Sequence, residues 1–506
     1  MSKPLRCLTR SASRKESERR TSAPNPAAPE SDDAPGNDCW EGRLHLQDVL
    51  SQHKRNPFSR SSASQDPVFF QELVEYGYDA LIPRLINAPE TEVINPARQE
   101  WRLTAQEDAA NDHAHLATIA DLGKVVYRGN NAIIEVLERI RLRHQTRALS
   151  SVRKTINQMH VDSIPTDKLI LAVLNLSFLH CSGNHRHRPA RTALPPAIKG
   201  LLFAGQARKN PLDAHARAMK ILVDAKGGLE EIKLAKIAEF VLLWDLRRAV
   251  AENRPPYFPI LEIHQKALDR YDANSRDPSR LHPYAELGDG FQILAGQSDT
   301  TRMLKENLVR TAAITREFRA LESTFTRTPK IHALINIAWI THHQLLSLPA
   351  NADADTDSSS GTINFIYAAT RTAALIYHST VVCPITSSTD VEDQLAEQLR
   401  EAPSGPWPEL VSDNGHIDYR DLMLWVLLMG SIAATFSKHR KWFITQLRER
   451  GDQMGVDSFS AFQSRMSRFL WFENMTEPAT KAWLEGKVEN IVSERERSSK
   501  RAPGLK

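Results

Sequence analysis

From Asp66 onward, apolar residues recur at three- and four-residue spacing in block after block, the signature of helices packed through one face. DPVFFQELVEYGYDALIPRLI opens the series. LATIADLGKVVYRGNNAIIEVLERIRLRHQ follows, a long pattern with a break expected near Gly129. TDKLILAVLNLSFLH is apolar almost all round, so it is expected deep in a core. In NPLDAHARAMKILVDAKGG, Asn210 suits the N-cap and Pro211 the first helical position. Asp213 suits the positive end of the dipole, and Gly227 or Gly228 suits a left-handed stop. The next run, KGGLEEIKLAKIAEFVLLWDL, places Leu234, Ile237, Val241 and Trp244 on one face. Ile232, Phe240 and Leu243 widen it, which predicts an amphipathic helix directly after the glycines. Further helices are expected near 301–323, 330–348, 362–380, 390–401, 417–437, 439–451, 457–472 and 477–492. Polar breaks fall at 181–200, 271–290, 349–361 and 402–415. Alternating β-branched runs and a βαβ rhythm are missing, and no fixed period marks a solenoid. The pattern predicts an all-α fold, a large helical array or irregular bundle, over residues 65–494.

Residues 1–64 are rich in Ser, Ala, Pro and charge and poor in large apolar side chains. Such a segment cannot offset its ordering entropy by burial and is expected to be a disordered tail. Its first twenty residues are mostly basic where charged, and 495–506 form a second basic tail expected to be disordered. Both fit nuclear import signals, weak phosphate contacts or plain solvated ends. Over the whole chain the charge nearly cancels, at +4 with 65 basic and 61 acidic residues. The total therefore gives no field for nucleic acid or membrane. The most apolar run, Leu422 to Phe436, is shorter than the roughly 18 residues a membrane span needs and carries Gly430 and Ser431, so it predicts a buried helix. No apolar leader follows the first methionine, and Cys7, Cys39, Cys181 and Cys383 stand far apart, which favours a reducing compartment over a disulfide framework.

DKLILAVLNLSFLH, followed by DAHARAMKILVDAKGGLEEIKLAKIAEFVLLWDLRRAVAENRPPYFP, resembles the central part of the fungal-specific transcription factor domain. That helical region usually follows a zinc binuclear-cluster DNA-binding domain in fungal regulators. The matching positions are Gly227, Gly228, Leu229, Trp244, Asp245, Arg254, Pro255, Pro256, Phe258 and Pro259. LMLWVLLMGSIAA and RKWFITQLRERGDQMGVDSFSAFQSRMSRFLWFENMTEPATKAWLEG resemble the family's closing helices, through Trp425, Gly430, Trp442, Phe443, Leu470, Trp471 and Trp483. The resemblance runs over residues 66 to 492. It implies an all-α regulatory module, nuclear and non-enzymatic, that works with other transcription regulators or coactivators and as a homo- or heterodimer. The departure is chemical. A zinc binuclear cluster needs paired CxxC thiolates, and the isolated cysteines here cannot form one, so DNA contact is expected to be indirect. Two other classes stay open: an interaction scaffold or inhibitor that titrates related regulators, and an all-α small-molecule binder or enzyme.

The sharper chemical candidates are weak. His180, Cys181, His185 and His187 are metal-ligand types, but their spacing matches no finger and Arg186 and Arg188 would repel a cation. Asp353, Asp355 and Asp357 start like an EF-hand loop, yet Ser358 takes the glycine position and Asn364 the closing glutamate position. DDAPGND at 32–38 mimics a diphosphate-binding motif but sits in a Pro/Gly-rich tail rather than on a helix wall. The glycines at 227 and 228 follow a helix and no Lys-Ser or Lys-Thr comes after them, which excludes a phosphate loop. GxSxG, GxGxxG and HExxH are absent. His342 and His343 are expected as structural residues with one or both facing solvent, and Asp245 as an internal ion pair or helix-to-helix hydrogen bond, with Arg247 and Arg248 following it. No catalytic residue, metal site or cofactor is assigned.

Overall fold

The computed structural model describes residues 66–78, 94–127, 129–160, 163–177, 179, 213–275, 286–295, 298–322, 329–352, 360–383, 389–401, 418–472 and 480–484. Both expected tails, the 180–189 histidine cluster, DDAPGND and Asp353 to Ser358 lie outside these residues. The fold is all-α, with fifteen α-helices, a further helical stretch at 480–484 and no strand among the described residues. No described helix is long and apolar enough to cross a membrane.

The first helices are α1 (Val68–Tyr76), α2 (Ile94–Glu107), α3 (Ala109–Val126), α4 (Asn131–Gln158), α5 (Asp167–Ser177) and α6 (Asp213–Lys226). The expected break near Gly129 separates α3 from α4. Gly129 takes a φ of 99° that a side chain would strain, and the Asn130 carboxamide oxygen caps α4 by accepting from the Ile133 N–H at 3.2 Å. The resulting hairpin leaves α3 as the hub of a first core, packed on α1, α2, α4 and α5. Every residue of α5 from Leu169 to Ser177 is buried, as its all-round apolar sequence requires.

Helix α6 ends at the two glycines. Gly227 and Gly228 have φ of 101° and 110°, and the Gly228 N–H donates to Val223 O at 2.9 Å while Gly227 N–H donates to Asp224 O at 3.0 Å. These bonds satisfy the last carbonyls of α6 and turn the chain. Asn210 and Pro211 lie outside the described residues. The helix expected straight after the glycines is interrupted. Leu229–Glu231 form one 3₁₀ turn, and α7 starts only at Ile237 and runs to Glu252. The reason is local. The Asp167 carboxylate accepts from the amides of Lys233 and Leu234, each at 2.8 Å, and Lys236 sits in the left-handed region at φ 67°. An external carboxylate takes the amides that a continuous helix would have used internally, so Leu234 packs from an extended segment rather than from a helical face.

The remaining helices are α8 (Glu262–Ser275), α9 (Asp299–Glu322), α10 (Pro329–Ser347), α11 (Ser360–Tyr377), α12 (Thr389–Glu401), α13 (Arg420–Ala433), α14 (Arg440–Gln453) and α15 (Phe459–Met466). The pattern placed the centres of α9 to α15 well, whereas α8 was not among the expected helices. The 271–290 break starts late, because α8 continues to Ser275, and the 457–472 helix stops at Met466. The apolar run from Leu422 to Ala433 is buried at every residue and is the hub of a second core, packed on α11, α12, α14 and α15. Around Trp425 the packing is aromatic. Its ring meets Phe291 edge-on at 5.2 Å and stacks on Phe469 at 6.1 Å, and its indole N–H donates to Leu470 O at 3.1 Å. Trp483 stacks on Phe462 at 4.7 Å and lies against Gly451.

The apolar interior thus falls into two clusters, and α7 belongs to both. Ile237, Phe240, Val241 and Trp244 fill the first, while Leu246, Ala249 and Val250 fill the second. The α13–α14 crossing is set by Gly430. A Cβ there would overlap the ring of Phe443, which is itself fully buried and cannot withdraw. Gly430→Ala should therefore cost about 1–3 kcal/mol, the usual range for overpacking a tight core. Urea unfolding checks this, and an unchanged midpoint would show that α14 can shift freely.

Candidate functional site

The residue that changes α7 from one core to the other is Asp245. A carboxylate with no exposed surface needs donors on both oxygens. Its Oδ1 accepts from Arg248 Nε at 3.0 Å and Nη2 at 2.9 Å. Its Oδ2 accepts from the backbone amides of Tyr257 at 2.6 Å and Phe258 at 3.1 Å. Arg248 also donates to Pro255 O at 3.1 Å and to Glu252 at 2.7 Å, and its guanidinium lies 3.6 Å over the Tyr257 ring. Burial lifts the Asp245 carboxyl above its ordinary range, against the pull of Arg248 and the two amides. The ion pair expected beside Trp244 is present, with Arg248 as the partner. Prolines 255, 256 and 259 remove amide donors from the turn, so the carboxylate meets the two N–H groups that remain at its centre.

The same turn is held from the other side by α10. His343 Nε2 donates to Phe258 O at 2.9 Å. The expectation that His342 or His343 faces solvent is not met, since they are 1% and 4% exposed. Nothing local in THHQLLSL requires two buried histidines; the reason is a carbonyl on a distant turn and a second imidazole. The His342 ring lies 5.1 Å from that of His378. His378 opens the π-helical turn His378–Val382, and its Nε2 donates to Thr311 Oγ1 at 2.8 Å. The tautomer follows from Thr311, whose own proton goes to Asn307 O at 2.7 Å. One turn on, Thr315 donates to Thr311 O at 2.8 Å and the Tyr377 hydroxyl reaches Thr315 at 3.1 Å. A hydroxyl and imidazole seam therefore joins α9, α10 and α11 inside the second core.

The first core has its own chain. His144 Nε2 donates to Asp66 at 3.0 Å, and His113 and His144 share one proton between their Nδ1 atoms at 3.0 Å. Arg143 pairs with the other oxygen of Asp66. Burial and the Arg143 guanidinium push His144 down to about 4. The Asp66–His144 contact spans 78 residues and could not be read from sequence spacing.

Chemically these nodes are clamps. The Thr311 proton is committed to a carbonyl, and the buried Cys383 thiol is pushed well above its ordinary value, which suppresses the reactive thiolate. Among the described residues no group of three or more His, Cys, Asp or Glu side chains is placed to hold a metal ion. Asn364, at the closing position of the EF-hand-like stretch, instead accepts from the Ala352 amide at 2.9 Å. No known family model matches the chain, and no curated protein or solved structure matches it.

Two predictions follow from the buried charges and imidazoles. Arg248→Met should destabilise by about 3–5 kcal/mol because it leaves Asp245 uncompensated, whereas Glu252→Ala, at the exposed edge, should cost about 1 kcal/mol or less. Chemical unfolding of the two variants checks the contrast, and equal losses would remove Asp245 from its central role. Burial pushes His342 and His343 down to about 3 and about 4 from an ordinary 6.5. Below pH 6.5 the unfolded chain takes up these protons first, so stability is full above 6.5 and declines as pH falls. Each of the two contributes up to about 1.4 kcal/mol per pH unit. Unfolding free energies measured from pH 7.5 to 4.5 should show the decline, and a flat profile would contradict neutral burial.

Proposed function

We propose that this chain is a transcription regulator acting in the nucleus through its helical regulatory and interaction module. The carrying observation is the ordered resemblance of residues 66 to 492 to the fungal-specific transcription factor domain, from Gly227–Gly228–Leu229 through Asp245 and Pro255–Pro259 to Trp425, Gly430 and Trp483. The basic stretches at 1–20 and 495–506 support the same reading as import signals. The chain reaches promoters through partner regulators or coactivators, because its four cysteines lack the paired spacing of a zinc binuclear cluster. That cysteine pattern also favours a second reading, in which the module pairs with related zinc-cluster proteins and titrates them as an inhibitor. Likeness of fold does not by itself establish function, so the test is made on the chain in its cell.

Chromatin immunoprecipitation of the tagged full-length chain, with its location scored in the same strain, should give a nuclear signal and focused promoter peaks. A nuclear signal without peaks, together with co-purified zinc-cluster regulators, would select the inhibitor. A cytoplasmic signal without enrichment would overturn both.

A further inference from the structure

Helix α4 is longer than its core requires. Its 28 residues carry their last buried side chain at Val152, and every residue from Arg153 to Gln158 is exposed. On its outer face Leu142, Leu149 and Ile156 are 48%, 37% and 46% exposed. Their seven-residue spacing sets them in one line, since a heptad returns to nearly the same side of a helix. Over the 21 Å or so between the first and the last, three large apolar side chains face water in a row. Arg139, Thr146 and Arg153 occupy the intervening turns of the same stripe, all exposed, and Arg147 and Lys154 flank it. Glu135 is the one exposed acid on the helix.

We propose that this face of α4 docks an amphipathic acidic helix of a partner protein. Heptad-spaced apolar residues take knobs from a second helix, and charges beside the seam choose that helix. The partner would set Leu or Ile against Leu142, Leu149 and Ile156, and Asp or Glu against Arg139, Arg153 and Lys154. A second copy of this chain is disfavoured, because it would bring the same basic residues against one another with a single acid to offset them. A bilayer is disfavoured by shape, because the apolar stripe is one residue wide and surface-binding helices need a broad apolar face. The docking face is separate from the Asp245 and histidine clamps, and it holds whether or not the chain regulates transcription.

The test uses the full-length protein and a fluorescein-labelled peptide of three heptads, with Leu at one seam position and Glu at the other and at both flanks. Anisotropy should report saturable binding that weakens as salt rises. Leu149→Ser and, separately, Arg153→Glu should each weaken it about tenfold or more, with thermal melting unchanged because both positions are exposed. The same peptide with Lys for Glu should not bind. Equal binding of the lysine peptide, or affinity indifferent to both variants, overturns the proposal. So does sedimentation showing a dimer abolished by Leu149→Ser. Flotation with 3:1 phosphatidylcholine–phosphatidylserine vesicles that is lost in the variants, with no peptide binding, would assign the face to membrane and overturn it as well.

Discussion

One buried carboxylate organises the middle of this protein. Asp245 lies where α7 leaves one apolar cluster and enters the next, and it takes donors from its own helix and from the Tyr257–Phe258 turn. Apolar packing alone is non-directional and would not fix how the chain leaves α7. The carboxylate does, because the amides it accepts from have set positions. Buried ion pairs elsewhere are often matched by apolar replacements of equal volume. Here such a replacement would orphan two backbone amides and the Pro255 carbonyl as well, each at a desolvation cost of about 1–3 kcal/mol. The pair persists because it serves the backbone rather than itself.

The histidines extend that logic. His343 closes the same turn through the Phe258 carbonyl, so α7 and α10 grip one short segment from two sides. His378 bonds Thr311 across helices through a π-helical turn, a local widening of the backbone that redirects a side chain without breaking the helix. His144 ties Asp66, at the entry to α1, onto α4. In every case a neutral imidazole donates one proton to a buried acceptor, which is why burial holds these groups uncharged. Polar connectors of this kind make the packing specific where leucines alone would allow sliding.

Much of the fold was legible because helix signals are local. The all-round apolar α5, the buried Leu422–Ala433 run, the glycine stop at 227–228 and the break at Gly129 rest on residues within a turn or two of one another. The failures were non-local. Nothing in KGGLEEIKLAKIAEF announces that Asp167, over sixty residues earlier, takes the Lys233 and Leu234 amides and delays α7 to Ile237. Nothing in THHQLLSL shows that the partners of its histidines come from the 254–259 turn and from the π-helical turn after α11. Asp245 was legible as a buried charge beside arginines, but its second role, holding a proline-rich turn, was not. The exposed line on α4 was readable in principle from the heptad spacing of Leu142, Leu149 and Ile156. It was masked because LERIRLRHQ also carries the buried Leu137, Ile140 and His144.

Several residues that the sequence singles out have a physical reason to be what they are in this fold. Gly227 and Gly228 need positive φ, Asp245 needs its donors, Gly430 must admit Phe443, and Trp425 must reach the Leu470 carbonyl. They are architectural, so they bear on shape before they bear on task. A regulatory task would be written on exposed surface, in residues the core does not require. Helix α4 supplies such a surface, since its last six residues and its heptad line of leucine and isoleucine do nothing for the first core. Exposed apolar side chains in register, flanked by exposed arginines, cost solubility and contribute little packing, which makes them the part of this chain whose reason lies outside it.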